Sequence, residues 1–185
     1  MEASGLTVWT VGHSNRTIKD FVTLLRSHEI EFLADVRRFP GSRRYPHFNR
    51  ESLAPALNER EIEYEHFPEL GGRRTPKPDS PNSAWRNEGF RGYADYMETE
   101  EFRTGVERFV GAAKKRRAGL MCAEALWWQC HRSMIGDYLK AAGVQVLHIL
   151  GMEKTEEHRF SQPAQMINGK LTYHQVAEQA DLALK

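Results

Sequence analysis

The densest concentration of reactive side chains in this sequence is Cys122, Glu124, Cys130, His131 and Arg132. Three chemistries compete for it. Cys130, next to His131 and Arg132 and expected at a helix N-terminus, is placed to become a nucleophilic thiolate with His131 as proton partner. Glu124 is the candidate nucleophile or general base of a carboxylate mechanism, shared with Asp35 if only one of the two is desolvated. A zinc site wants four ligands, and two cysteines separated by seven residues lack the CxxC spacing of such sites. No metal and no cofactor is therefore expected. Both cysteines, Cys122 above all, also read as small core residues.

Arginine supplies the second signal. From Arg37 to Arg50 the chain carries Arg37, Arg38, Arg43, Arg44 and Arg50 and no acidic residue. Guanidinium forks match phosphate and carboxylate, so this block points to an anionic ligand, against the alternative of a solvated loop. Arg73, after Gly71-Gly72, is placed to close over the same ligand. His13, Ser14 and Asn15 follow Gly12 at a strand-to-helix turn, where backbone N–H groups can hold an anion. They form neither a dinucleotide fingerprint nor a Walker loop. Trp127 and Trp128 offer either a stacking surface for a base or packing against Trp85 and Phe90.

These residues need a scaffold. Five β-rich apolar runs, Thr7 to Val11, Phe32 to Val36, Ile62 to His66, Leu120 to Glu124 and Val144 to Ile149, read as strands buried on both faces. Helical periods lie between them: one capped by Thr17 with Asp20, one whose Pro55 falls in the first turn if Ser52 is the N-cap, one opening at Thr99, and one after His131. The alternation predicts a single α/β domain over residues 1–185, a three-layer sandwich around a mostly parallel five-stranded sheet. Its core spans about residues 7–150, and a last helical segment about 173–184. Residues 68–92 have no period and read as an irregular lid. In such sheets ligands bind beyond the carboxyl ends of the strands, where the reactive groups above all fall.

Composition sets the outer limits. The chain has 185 residues, 40% of them hydrophobic, with 26 basic and 25 acidic side chains for a net charge of +1. This balance argues against a basic nucleic-acid tail and against disorder. No apolar run approaches the ~20 residues of a membrane helix, and the first residues have no signal-peptide pattern. Two free cysteines suit a reducing compartment, so a soluble cytoplasmic protein with no membrane partner is expected.

Val11-Gly12-His13-Ser14-Asn15, Asp35-Val36-Arg37-Arg38-Phe39-Pro40-Gly41-Ser42-Arg43, Glu69-Leu70-Gly71-Gly72-Arg73, Phe90-Arg91-Gly92-Tyr93 and Met121-Cys122-Ala123-Glu124 through Cys130-His131-Arg132 occur in that order. In this combination the chain resembles domain-of-unknown-function family 488, from about Thr7 to Tyr173. The resemblance implies a flavodoxin-like α/β sandwich and a prokaryotic cytoplasmic protein. It also implies a place in nucleotide or nucleic-acid metabolism, with DNA repair among the candidates.

The leading expectation is thus an enzyme, a hydrolase or transferase, acting on a phosphate-bearing small molecule or nucleic acid through Glu124 and Asp35. A cysteine-dependent enzyme and a non-catalytic nucleic-acid-binding module are the alternatives. Strand alternation places Arg37 and Arg43 toward the ligand and Arg38 toward solvent, with Asp35 orienting one guanidinium and Arg132 near the anion.

Overall fold

The computed structural model describes residues 5–175. Strands β1 (Thr7–Gly12), β2 (Phe32–Asp35), β3 (Glu63–His66), β4 (Ala118–Cys122) and β5 (Gln145–Gly151) pair in parallel, and β6 (Lys154–Glu157) adds an antiparallel edge. The sheet therefore has six strands, one more than expected, in the order β3-β2-β4-β1-β5-β6. The polar Lys154–Glu157 segment shows no buried run because an edge strand buries little. A separate hairpin joins β7 (Gln165–Ile167) and β8 (Lys170–Thr172). The architecture is the expected single-domain three-layer sandwich, although its strand order differs from the 2-1-3-4-5 order of flavodoxin itself.

Among the described residues, five α-helices cover the sheet: α1 (Ile18–Ser27), α2 (Arg50–Asn58), α3 (Glu88–Met97), α4 (Glu100–Ala113) and α5 (Arg132–Ala141). Side-chain alternation along each strand splits the core in two. Trp9, Val11, Leu33, Met121 and Ile149 pack on α1 and α2. Val8, Phe32, Ala34, Leu120 and Val146 pack on α3, α4 and α5. Thr17 and Thr99 cap their helices as the sequence implies, accepting from the N–H of Asp20 and Phe102. Helix α2 instead starts after Asn49, so Pro55 lies inside it and Ser52 is not its cap. Asn49 turns its Oδ1 to the Ser42 N–H (2.5 Å), which ties the arginine loop to the helix start.

The irregular segment is shorter than predicted and is no free lid, because α3 begins at Glu88. Buried Asp95 on α3 accepts from Lys77 N–H, Ser80 Oγ and Asn82 Nδ2. Those hydrogen bonds outweigh burial and hold its carboxyl below the usual carboxylate range. Gly92 lets α3 lie against the backbone of Arg74 and Thr75, which a Cβ would strike. Most of the proposed C-terminal helix at 173–184 lies outside the described residues, and Tyr173 itself is not helical. Among the described residues no helix is long and apolar enough to cross a membrane.

The helices after β1 and β2 lie on one face of the sheet, and the helix after β4, which sits between them, lies on the other. The loops leaving these strand ends diverge, and divergence opens a crevice there.

Candidate functional site

The crevice is a cleft of about 880 Å³ at the carboxyl ends of β1, β2 and β4. Its β1–β4 wall depends on close backbone approach. Gly12 and Cys122 end their strands side by side, and the loop after β4 folds back so tightly that a Cβ on Gly12 would lie 1.9 Å from the Glu124 carbonyl. The N–H groups of His13 and Ser14 donate to the carbonyls of Cys122 and Ala123 (both 2.9 Å). Those two donors are therefore unavailable to an anion, and α1 begins only at Ile18. His13, Ser14 and Asn15 still line the cleft.

Asp35 holds the Arg37 guanidinium, and Arg37 lines the cleft. Asp35 is fully buried; it accepts from Arg37 Nε and Nη2, from the Arg37 N–H and from Tyr64 OH. It is not part of the cleft lining, and with its oxygens engaged it is a positioning carboxylate and not a general base. Burial opposes the Arg37 charge, but the Asp35 hydrogen bonds and charge outweigh it and raise the guanidinium pKa. In turn, Arg37 Nη1 donates to His13 Nε2 (3.3 Å), while His13 Nδ1 faces the Ser14 carbonyl (2.9 Å). Guanidinium only donates and carbonyl only accepts, so His13 carries its proton on Nδ1. Burial, and then the Arg37 charge, lower its pKa to about 4.

The exposed rim differs from expectation at Arg38, Arg43 and Arg44. Arg38, expected in solvent, lines the cleft and donates to the Arg73 carbonyl (2.6 Å). Arg73, held at φ 59°, lines it as well. Arg43 and Arg44 are exposed and lie outside the lining. The aromatic surface is also different. Trp127 is buried and stacks on His148 (4.1 Å, 9°), and Trp128, although exposed, does not border the cleft. Neither packs as the alternative required, since Trp85 and Phe90 stack on each other. Phe39, 64% exposed, stands at the rim instead. An apolar residue within an arginine block was the available signal for it.

The floor holds the sulfur cluster. Cys122 ends β4, and Cys130 and His131 lead into α5. His131 Nε2 donates to the Val36 carbonyl (2.9 Å), so in the neutral ring the bare nitrogen is Nδ1. That bare nitrogen faces Cys130 Sγ at 3.6 Å and Cys122 Sγ at 3.9 Å. Gly72 makes room for the ring, since a Cβ there would sit 2.8 Å from Nδ1. Burial raises both thiols. Cys122 rises first through its hydrogen bond with Cys130 and then through burial, whereas for Cys130 burial is outweighed by the hydrogen bond from Cys122 and the charge of Arg132, which lower it. The three ligand atoms lie within 4.8 Å of one another, close enough to share an ion. Glu124, exposed, lines the same cleft.

Arg132 lies beneath the floor, 1% exposed, and is not in the cleft itself. It donates to the carbonyls of Glu124 (2.6 Å) and Ala125 (3.3 Å) and to Thr10 Oγ1 (3.3 Å), while its Nε is without a partner. From Thr10 a buried chain continues to His148 Nδ1 (2.7 Å), from His148 Nε2 to His158 Nδ1 (2.9 Å), and from His158 Nε2 to Asp137 (2.9 Å). The carboxylate at its end fixes every donor direction back to Arg132. Sequence reading missed this chain; its one signal was His148 inside the apolar run of β5.

No curated protein and no solved structure matches the chain. A family model does, over residues 17–139, which takes in the arginine block, the Gly71-Gly72 turn and the sulfur cluster. With two-thirds of its length so matched, the chain belongs to the family described as domain of unknown function DUF488.

Proposed function

We propose that this protein is an enzyme, a hydrolase or transferase, acting on a phosphate-bearing, nucleotide-like ligand through its sulfur–imidazole cluster and not through a carboxylate pair. The observation that carries this reading is the pair of thiols facing one unprotonated nitrogen at the floor of an arginine-rimmed cleft. Arg38 and Arg73 are positioned for phosphate, and the exposed Phe39 ring beside them for a base. His131 Nδ1 takes the Cys130 proton, and the thiolate attacks an electrophilic centre of the ligand. As the S–ligand bond forms, the bond to the leaving group breaks, and that group receives the proton from His131. Water or an acceptor molecule then displaces the sulfur. Buried Arg132 favours the anionic state of this floor.

The test is turnover on a panel of nucleotides and oligonucleotides. Cys130→Ser is expected to abolish activity, and Glu124→Gln to leave most of it. The reverse pattern would return the chemistry to the carboxylate.

A further inference from the structure

We infer that Cys122, Cys130 and His131 bind one thiophilic divalent ion of the Zn2+ type in a three-ligand site open to the cleft. The inference rests on the same cleft being the reactive centre and changes one step of it: with the ion bound, the metal and not His131 Nδ1 keeps the sulfurs ionised, and the leaving group takes its proton from water.

The separations carry the argument. A tetrahedral zinc ion with Zn–S of about 2.3 Å and Zn–N of about 2.05 Å sets its nitrogen and sulfur ligands about 3.6 Å apart and two sulfurs about 3.8 Å apart. His131 Nδ1 lies 3.6 Å from Cys130 Sγ and 3.9 Å from Cys122 Sγ, and all three atoms fall within 4.8 Å of one another. An ion at the common centre satisfies all three.

The imidazole is prepared as a ligand. Its far nitrogen donates to the Val36 carbonyl, the outer contact that fixes the tautomer and ring plane of metal-bound histidines. Sulfur donors select zinc-like ions over magnesium or calcium. The two cysteines and His131 all border the cleft, so the fourth position points toward the ligand, as in zinc sites that do chemistry. Charge agrees. Two thiolates neutralise a dication, while Arg132 beneath them is bonded only to uncharged oxygens, so an anion is the favoured fourth partner.

The experiment loads chelator-stripped, full-length protein with Zn2+ or Co2+ alone. One ion per chain is expected, with the sulfur-to-cobalt charge-transfer absorption of a tetrahedral dithiolate. Cys122→Ser, Cys130→Ser and His131→Ala, each checked for fold by circular dichroism, should each lower Zn2+ affinity by more than the roughly 10–100-fold lost with an outer partner of a ligand. Arg43→Ala, outside the cleft lining, should leave it unchanged. Substoichiometric binding by the folded wild type, no charge-transfer band, or full affinity in either cysteine variant would overturn the inference. The cobalt spectrum decides even if a variant misfolds. Failure of nucleotide turnover with stoichiometric metal bound would sink the proposed function and leave the metal site standing.

Discussion

Arg37 Nη2 lies 2.6 Å from Asp35 Oδ2, and the two side chains, both buried, form an ion pair between residues two apart at the end of β2. This pair supports the cleft wall, which Arg37 lines. Removing either partner leaves the other charged and enclosed. Arg37→Ala is expected to destabilise the fold by about 3–5 kcal/mol, measured by urea denaturation. An effect below ~1 kcal/mol would restore Arg37 as a ligand-binding group.

The arginines that matter to a ligand should then be those of the rim. Arg38→Ala and Arg73→Ala should each weaken phosphate-compound binding by about 1.5–3 kcal/mol, with affinity falling as salt rises. Arg43→Ala and Arg44→Ala, outside the lining, should change little. Isothermal titration of the four variants against one nucleotide ranks them, and equal small effects would reduce the rim to a solvated surface.

Phe39 separates base from phosphate. Phe39→Ala should cost a nucleotide about 1–3 kcal/mol of binding, the usual worth of a stacked base, and cost inorganic phosphate nothing. Equal losses for both ligands would remove the stacking role.

Stability should fall in acid. His13 is held neutral in the fold with its pKa lowered to about 4, by burial first and then Arg37. The unfolded chain titrates near the ordinary 6.5, so between pH 6.5 and 4 it binds more protons than the native state. Stability from this group is full above that window and is lost as pH drops through it, by an amount on the order of 2–3 kcal/mol. His148, lowered to about 2 by burial first and then by His158 and Arg132, acts in the same direction. Denaturation midpoints across this range should therefore decline, and His13→Gln should flatten the decline.

Glycine spacing is the last handle. Gly72→Ala should displace the His131 ring, since its Cβ would meet Nδ1 at 2.8 Å. Turnover should fall while the thermal midpoint moves only a few degrees, on the order of 1 kcal/mol for a chain this size. A variant as active as wild type would show that the ring position is not critical.

Much of this fold is written in local patterns. Continuous apolar runs such as Phe32 to Val36 mark strands buried on both faces, and Thr17 and Thr99 cap helices through contacts only three residues long. Because strand ends carry the loops of a parallel sheet, the cleft could be placed on His13, Arg37–Arg38 and Cys122–His131 from the sequence. Its partners could not. Alternation of side chains holds only while the chain stays in the sheet, and β2 ends at Asp35, so it could not tell that Arg38 reaches the rim as well. The absence of a CxxC spacing argued against a metal, yet Cys122 and Cys130 come from a strand end and a helix start. They meet at His131 because Gly12 lets the intervening loop fold against β1, and Gly72 admits the ring from another segment. Side-chain convergence of that kind depends on contacts between residues far apart in the chain, and such contacts leave no periodic trace in the sequence.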